Sequence, residues 1–376
     1  MYNISIWEKE SFLSPQEVLI VGAGFLGLWT AWELIRKKPS LRITILERNS
    51  IPLGASTRNA GFACFGSAGE LMQDAATMGA DAMLQVTEMR YKGIQKIRQY
   101  FTNAQSGFEL CGGYECINYQ QGSSSTLPDQ LSWLNSVLHP VTGVPQTFTV
   151  ATEKLTAQGL QGFDALIENK LEGSLHSGQL VQMLTHTIQS LGVQILYGME
   201  VSGWQQDGDH ITIQAGQYTL QTQQLLFCTN AFTTPLVPGL PVEPARGQVI
   251  VTAPMPGLTL KGTFHFEEGF YYWRNIGNRI LLGGARNKAF AEEQTTELNT
   301  TPTIQQELQS FLEQHFVHKT PLKVDHCWSG IMGFTGNKQP ILYPVTDNVW
   351  AAVACNGMGV ALAPVFAETI AGALIF

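Results

Sequence analysis

Residues 18–21 form an unbroken apolar run that stops at a glycine, the pattern of a strand buried on both faces of a parallel sheet. The period then changes. Over Phe25–Lys37 the apolar residues Leu28, Ala31, Leu34 and Ile35 fall on one face, which predicts an amphipathic helix. A second apolar run at 42–46 predicts the next strand, and further strands are predicted at 194–197, 224–227 and 348–354. Two stretches of different character lie between them. Residues 76–170 carry a helical pattern at 83–100 and then a Gly- and Ser-rich stretch, whereas 240–324 carry strand-like runs at 248–252, 270–274 and 279–282 and a helical pattern at 304–315. The expected fold class is therefore α/β plus α+β: an alternating α/β part assembled from 1–75, 171–239 and 325–376, with an antiparallel-sheet part made of 76–170 and 240–324.

Composition narrows the classes. With 44% hydrophobic and 14% charged residues over 376 positions, the chain can bury a large core. A net charge of −8 and the absence of a dense Lys/Arg stripe argue against a nucleic-acid surface. The six cysteines, at 64, 111, 116, 228, 327 and 355, include no CxxC pair, which points to reduced thiols and a cytoplasmic protein. Glu8, Lys9 and Glu10 interrupt the N-terminus, so no secretory signal is expected. From 349 to 376 the only charge is Glu368, but Asn356, Gly357-Met358-Gly359 and Pro364 break the run. A buried strand, a glycine turn and a packed helix are expected there, with no integral membrane segment. No metal site is expected, and neither an HExxH helix nor a GxSxG elbow is present.

One motif carries chemistry. Gly22-Ala23-Gly24-Phe25-Leu26-Gly27 follows the first strand directly and opens the first helix. Gly22 permits a tight turn, Gly24 lets the backbone approach a pyrophosphate, and Gly27 allows close packing of helix on strand. The pyrophosphate would sit on the N–H groups of Phe25 and Leu26 at the positive end of the helix. Glu47, twenty residues after Gly27 at the end of the second strand, can accept hydrogen bonds from ribose hydroxyls, and Arg48 follows it. An acid at this position disfavours a 2′-phosphate. Among 37 glycines a bare GxGxxG means little; the strand, helix, strand and terminal acid around it make it a Rossmann-like dinucleotide site.

The unit alone leaves FAD and NAD open. The following stretch, Gly54-Ala55-Ser56-Thr57-Arg58-Asn59-Ala60-Gly61, resembles the GAS-x-R-N-x-G segment of the D-amino-acid oxidase, glycine oxidase and sarcosine oxidase superfamily of flavoproteins. Cys228-Thr229-Asn230-Ala231, Arg246-Gly247-Gln248, Tyr271-Tyr272-Trp273-Arg274, Leu282-Gly283-Gly284-Ala285, Trp328-x-Gly330 and Asn356-Gly357-Met358-Gly359 follow in order, so the resemblance spans nearly the whole chain. It implies non-covalent FAD and two-electron oxidation of an amine or amino acid, with hydride passing to the flavin and the imine product hydrolysing in water; O2 or another acceptor would take the electrons. It further implies FAD contacts from Ser56, Thr57, Arg58, Asn59 and Gly61, from Val201 at the adenine, from Thr229 and Asn230 below the pyrophosphate, from Gly330, and from Gly357, Met358, Gly359 and Val360 at the flavin pyrimidine. Tyr271, Tyr272 and Arg274 are the candidates for the reacting face. Strand alternation allows only one of the sets Tyr271/Trp273 and Tyr272/Arg274 to face a pocket.

The chain also departs from that superfamily. An arginine that clamps the substrate carboxylate often follows the Trp-x-Gly element; here Ile331-Met332-Gly333-Phe334 follows it. The lysines of sarcosine-oxidase-like members are missing from 279–282 and from 360–362, where Val360-Ala361-Leu362 stands. The stretch 328–340 resembles the gamma-glutamylputrescine oxidase-like branch, and Arg274 or Arg286 could supply a replacement anion site. Cys327 reads as a buried structural thiol rather than a flavin link, since the register from Pro340-Ile341-Leu342 puts that link at about Gly330. Two other readings share the first βαβ unit: an FAD monooxygenase of the hydroxylase type, and a non-catalytic FAD-binding subunit. Hydroxylases usually carry Gly-Asp near the last strand, where this chain has Cys355-Asn356-Gly357.

Overall fold

The computed structural model of the chain describes residues 3–119, 126–317 and 322–374. The apolar runs at the start do form the centre of a sheet. Gln16–Val21 pairs in parallel with Ile43–Glu47 on one side and Tyr218–Phe227 on the other. The order across the sheet is Ile341–Pro344, Val349–Val353, Tyr218–Phe227, Gln16–Val21, Ile43–Glu47, Gln194–Tyr197, and a hairpin of Val201–Asp207 and His210–Ala215 joins at Tyr218–Phe227. Alternation splits the burial. Val18 and Ile20 pack with the helices Phe25–Lys37, Ala80–Tyr100, Ser177–Ser190 and Gly359–Leu374, while Leu19 and Val21 pack with the hairpin.

A second sheet runs in the order Val324–Phe334, Glu243–Thr252, Arg279–Gly284, Tyr271–Ile276, Thr263–Phe266, Gly113–Ile117, Ala165–Asn169, Phe148–Val150. All its neighbours are antiparallel except Thr263–Phe266 with Gly113–Ile117. Pro302–His315 covers its outer face through Ile304, Leu308, Phe311 and Leu312.

Three placements differ from the pattern-based expectation. Val324–Phe334, expected with the nucleotide part, pairs along its length with Glu243–Thr252 and lies at the seam between the sheets. Its glycines make this possible: a Cβ on Gly330 would stand 3.0 Å from Arg58 Cβ, and one on Gly333 would stand 2.5 Å from Asn230 Oδ1. The helix Ala80–Tyr100, expected with the other part, packs instead on Gly359–Leu374. Gly93 sets that approach, because a Cβ there would lie 1.7 Å from the Ala361 carbonyl oxygen. The Gly- and Ser-rich stretch supplies the strand Gly113–Ile117, and its residues 120–125 lie outside the described ones.

The chain end is a strand, a turn and a helix, Val349–Val353 to Gly359–Leu374, with Pro364 inside the helix. Among the described residues no helix is long and apolar enough to cross a membrane. All six cysteines are free. Cys327, expected to be buried, is exposed, because it lies near the outer end of a strand whose buried part begins at Ser329.

Candidate active site

One cavity of about 800 Å³ runs from the C-terminal ends of the parallel strands to the face of the second sheet, within the range of roughly 300–1,000 Å³ for ligand pockets. Its inner end is the glycine turn. Gly22, at φ +107°, has a conformation that L side chains rarely adopt, and Gly24 caps the helix Phe25–Lys37 without a side chain. Ser56 Oγ accepts the Phe25 N–H at 2.8 Å. Gly27 does not line the cavity; it lets helix and strand touch, since a Cβ there would be 2.1 Å from the Gly22 carbonyl oxygen. The Glu47 carboxylate accepts the Ala23 N–H at 3.1 Å through Oε2 and the Asn49 N–H at 3.1 Å through Oε1, so it is fixed at the strand end with lone pairs left for a ligand. Arg48 stacks its guanidinium over Phe232 at 4.1 Å. Val201, Thr229 and Asn230 complete this end, the last in left-handed conformation, with Thr229 and Thr233 hydroxyls 2.7 Å apart.

The middle is built by the short helix Ala55–Arg58 and the strand behind it. Asn59 ties the turn together, donating to the Ala55 and Ser56 carbonyls and accepting from Gly61 N–H at 2.8 Å. Arg58 Nη1 donates to the Ser329 carbonyl at 2.9 Å, and Trp328 Nε1 donates to the Arg58 carbonyl at 2.9 Å. Arg58 Nε is buried and has no partner among the described residues. Thr57 and Gly61 do not line the cavity. The Thr57 hydroxyl bonds the Pro52 carbonyl at 2.5 Å, and Gly61 lets Leu175 approach its backbone. Opposite stand Gly330, Gly357, Met358, Gly359 and Val360, where the helix Gly359–Leu374 begins.

The far end separates the three candidates for the reacting face. Tyr272 lines the cavity. Tyr271 faces the other way, stacked on Phe311 at 4.5 Å with its hydroxyl donating to Glu307 at 2.6 Å. Arg274 shares the Tyr272 side but sits farther along the strand, where Nη1 donates to the carbonyls of Gly61 at 2.7 Å and Leu175 at 2.9 Å. Both are therefore structural. Phe62, His265, Arg286, Met332 and Phe334 stand there instead. Burial pushes the Tyr272 phenol up to about 12 and the His265 imidazole down to about 4, so both are neutral near pH 7. His265 Nε2 has no partner among the described residues. Desolvation likewise holds the thiols of the lining residues Cys64, Cys228 and Cys355 above their ordinary range, which leaves them protonated and unreactive.

A family model described as FAD dependent oxidoreductase matches residues 17–373. The chain belongs to this family. The bifunctional protein ThiO/ThiG of Synechocystis sp. is 26% identical over 96% of the chain, which spans about half (52%) of that relative. The glycine oxidase of Pseudomonas aeruginosa is 23% identical over 95% of the chain and 94% of its own length. Among solved structures, L-proline dehydrogenase from P. horikoshii superposes with a TM-score of 0.77 at 17% identity, covering 96% of this chain and 93% of that one.

The residues present fit FAD. Gly22, Gly24 and Gly357 offer bare backbone, Glu47 is a fixed acceptor at the ribose position, and two helix N-termini open into the same space. Sequence reasoning missed His265, because the strand Thr263–Phe266 was not recognised; its alternation, with Phe264 in the core and His265 opposite, was the available signal.

Proposed function

We propose that this family member oxidises the carbon–nitrogen bond of a small amine or amino acid. The observation that carries the reading is the continuity of one cavity from the glycine turn and Glu47 to Tyr272, His265 and Arg286. Bound FAD supplies a two-electron acceptor for the C–H beside the amine, and the resulting imine hydrolyses in water. The chain's part is binding, orientation and exclusion of water. Gly22, Gly24, Phe25 and Leu26 would hold the pyrophosphate, Glu47 and Val201 the adenosine end, and Thr229 and Asn230 the turn beneath it. Ser56, Arg58, Asn59 and Gly330 would position the middle. Gly357, Met358, Gly359 and Val360 would direct backbone N–H groups and a helix N-terminus at the pyrimidine side, where electron density accumulates on reduction. Tyr272, Phe62, Met332 and Phe334 wall the far end, where they would confine the substrate and exclude water.

The relatives named for glycine oxidation and L-proline dehydrogenation favour amino acids, and the resemblance of residues 328–340 favours amines that carry no α-carboxylate. The test is anaerobic. The purified holoprotein should bleach with at least one member of a panel of glycine, proline, sarcosine, putrescine and agmatine. An FAD-loaded protein that stays oxidised with all of them overturns the reading and leaves the non-catalytic subunit. Bleaching by NADPH alone favours the hydroxylase. Reoxidation by air or by a dye acceptor then assigns oxidase or dehydrogenase.

A further inference from the structure

We infer that Arg286 and Tyr272 form a carboxylate site, so that the substrate is an amine bearing a carboxylate held from the second sheet rather than from the strand Val324–Phe334. This rests on the function proposed above.

Among the described residues five side-chain cations line the cavity: Arg48, Arg58, Arg90, Arg286 and Lys338. Four have partners or lie elsewhere. Lys338 bonds Asp74 at 2.6 Å, and Arg90 lies 3.6 Å from Glu70 and 3.9 Å from Asp74. Arg58 donates to the Ser329 carbonyl, and Arg48 lies at the nucleotide end over Phe232. Among the described residues the Arg286 guanidinium makes neither a hydrogen bond nor an ion pair, although it is half-buried. Rings stand against it, Phe334 at 4.7 Å, Phe290 at 5.1 Å and Phe270 at 5.9 Å from the guanidinium carbon, and the Glu293 carboxylate, whose charge also reaches it, is paired with Arg246 at 2.7 Å. Rings against a guanidinium satisfy its charge in part but none of its N–H donors. Those donors form a planar fork that matches a carboxylate bidentately. The Tyr272 phenol lines the same cavity as Arg286 and also has no hydrogen-bond partner among the described residues; burial keeps it protonated, a neutral donor, and the Arg286 charge acts on it. Arg274, the other cation that could have served, is held by the Gly61 and Leu175 carbonyls. Residues 329–334, where Met332 stands, contain no cation.

The FAD-loaded protein is titrated with benzoate, followed by perturbation of the flavin absorbance, and its anaerobic reduction is compared for matched pairs: sarcosine with dimethylamine, and phenylalanine with phenethylamine. We expect benzoate to bind, and Arg286→Met to weaken it by about 100-fold, the scale of losing one partner of a buried charged pair. Arg286→Lys should recover only part of that loss and Tyr272→Phe should weaken benzoate about 10-fold, as for one hydrogen bond to a charged group. At least one carboxylate-bearing member should reduce the flavin faster than its partner. Benzoate that fails to bind, or binds Arg286→Met as tightly as the wild type, overturns the inference whether or not any substrate is found. Equal or faster reduction by the amines lacking a carboxylate also overturns it, while leaving amine oxidation standing. Retained FAD absorbance and melting temperature in Arg286→Met identify the loss as one of binding, as expected for a side chain with no polar partner among the described residues.

Discussion

The consequences of single side chains at this site follow from what each one touches. A Cβ on Gly24 would lie 3.0 Å from Ser56 Oγ, the atom that accepts the Phe25 N–H. Gly24→Val should therefore displace Ser56, block the helix N-terminus and abolish FAD retention on purification, measured by flavin absorbance per protein. A retained cofactor would place the pyrophosphate elsewhere. Neighbouring residues on one strand can differ completely in role. Tyr271 and Tyr272 are adjacent tyrosines, yet one is locked to Phe311 and Glu307 and the other opens onto the cavity. The sequence restricted the choice to one alternating set but could not say which. That depends on which sheet face the helix Pro302–His315 covers, a contact made by Glu307 and Phe311, 36 and 40 residues downstream of Tyr271. Glu47 and the glycines of the turn were legible because their partners lie within one βαβ unit.

At the level of elements, the join between Ala80–Tyr100 and Gly359–Leu374 is tight at Gly93 and sealed by charge. Lys96 is buried with Nζ 2.8 Å from Glu33 and 2.9 Å from the Pro364 carbonyl. Gly93→Val should separate the helices and move the start of Gly359–Leu374, which lines the cavity. We expect a destabilisation of about 3 kcal/mol or more by urea unfolding, with weakened FAD binding. Stability equal to the wild type would mean the helices part without cost. The helix periods were readable, but their partners were not: amphipathicity shows that a helix has a buried face without identifying the surface that buries it. For the same reason residues 325–334 were grouped with the nucleotide part, and the strand Val324–Phe334 was not recognised. Its pairing with Glu243–Thr252 spans some eighty residues, and only Gly330 and Gly333 hint that it must pass close to another layer.

For the whole molecule, buried carboxyls couple folding to pH. Glu172 accepts the Phe65 N–H at 2.7 Å, and Glu115 accepts from Gly69 N–H at 2.8 Å and from Ser67, so both brace the segment that walls the cavity against the second sheet. Desolvation raises Glu172 to about 8 and Glu115 to about 7 from 4.5, and Glu70 is raised as well. The folded state then holds protons that the unfolded chain releases. Stability from these groups is complete below pH 4.5, the unfolded value, and is lost as pH rises through the folded values near 7 and 8. The melting temperature should fall between about pH 5 and pH 8, and Glu172→Gln should flatten that fall, with an effect on the order of a few kcal/mol. An unchanged slope would show that Glu172 is ionised when folded.

The seam strand has one more consequence. Val324–Phe334 belongs by its ladder to the second sheet, yet Ser329 and Trp328 are bonded to Arg58, in the short helix Ala55–Arg58 that follows the first sheet's strand Ile43–Glu47. Opening the two halves like a clam shell would break those bonds and withdraw Gly330 from the cavity wall. Traffic in and out must therefore use the rim, and turnover should leave the overall dimensions of the molecule unchanged.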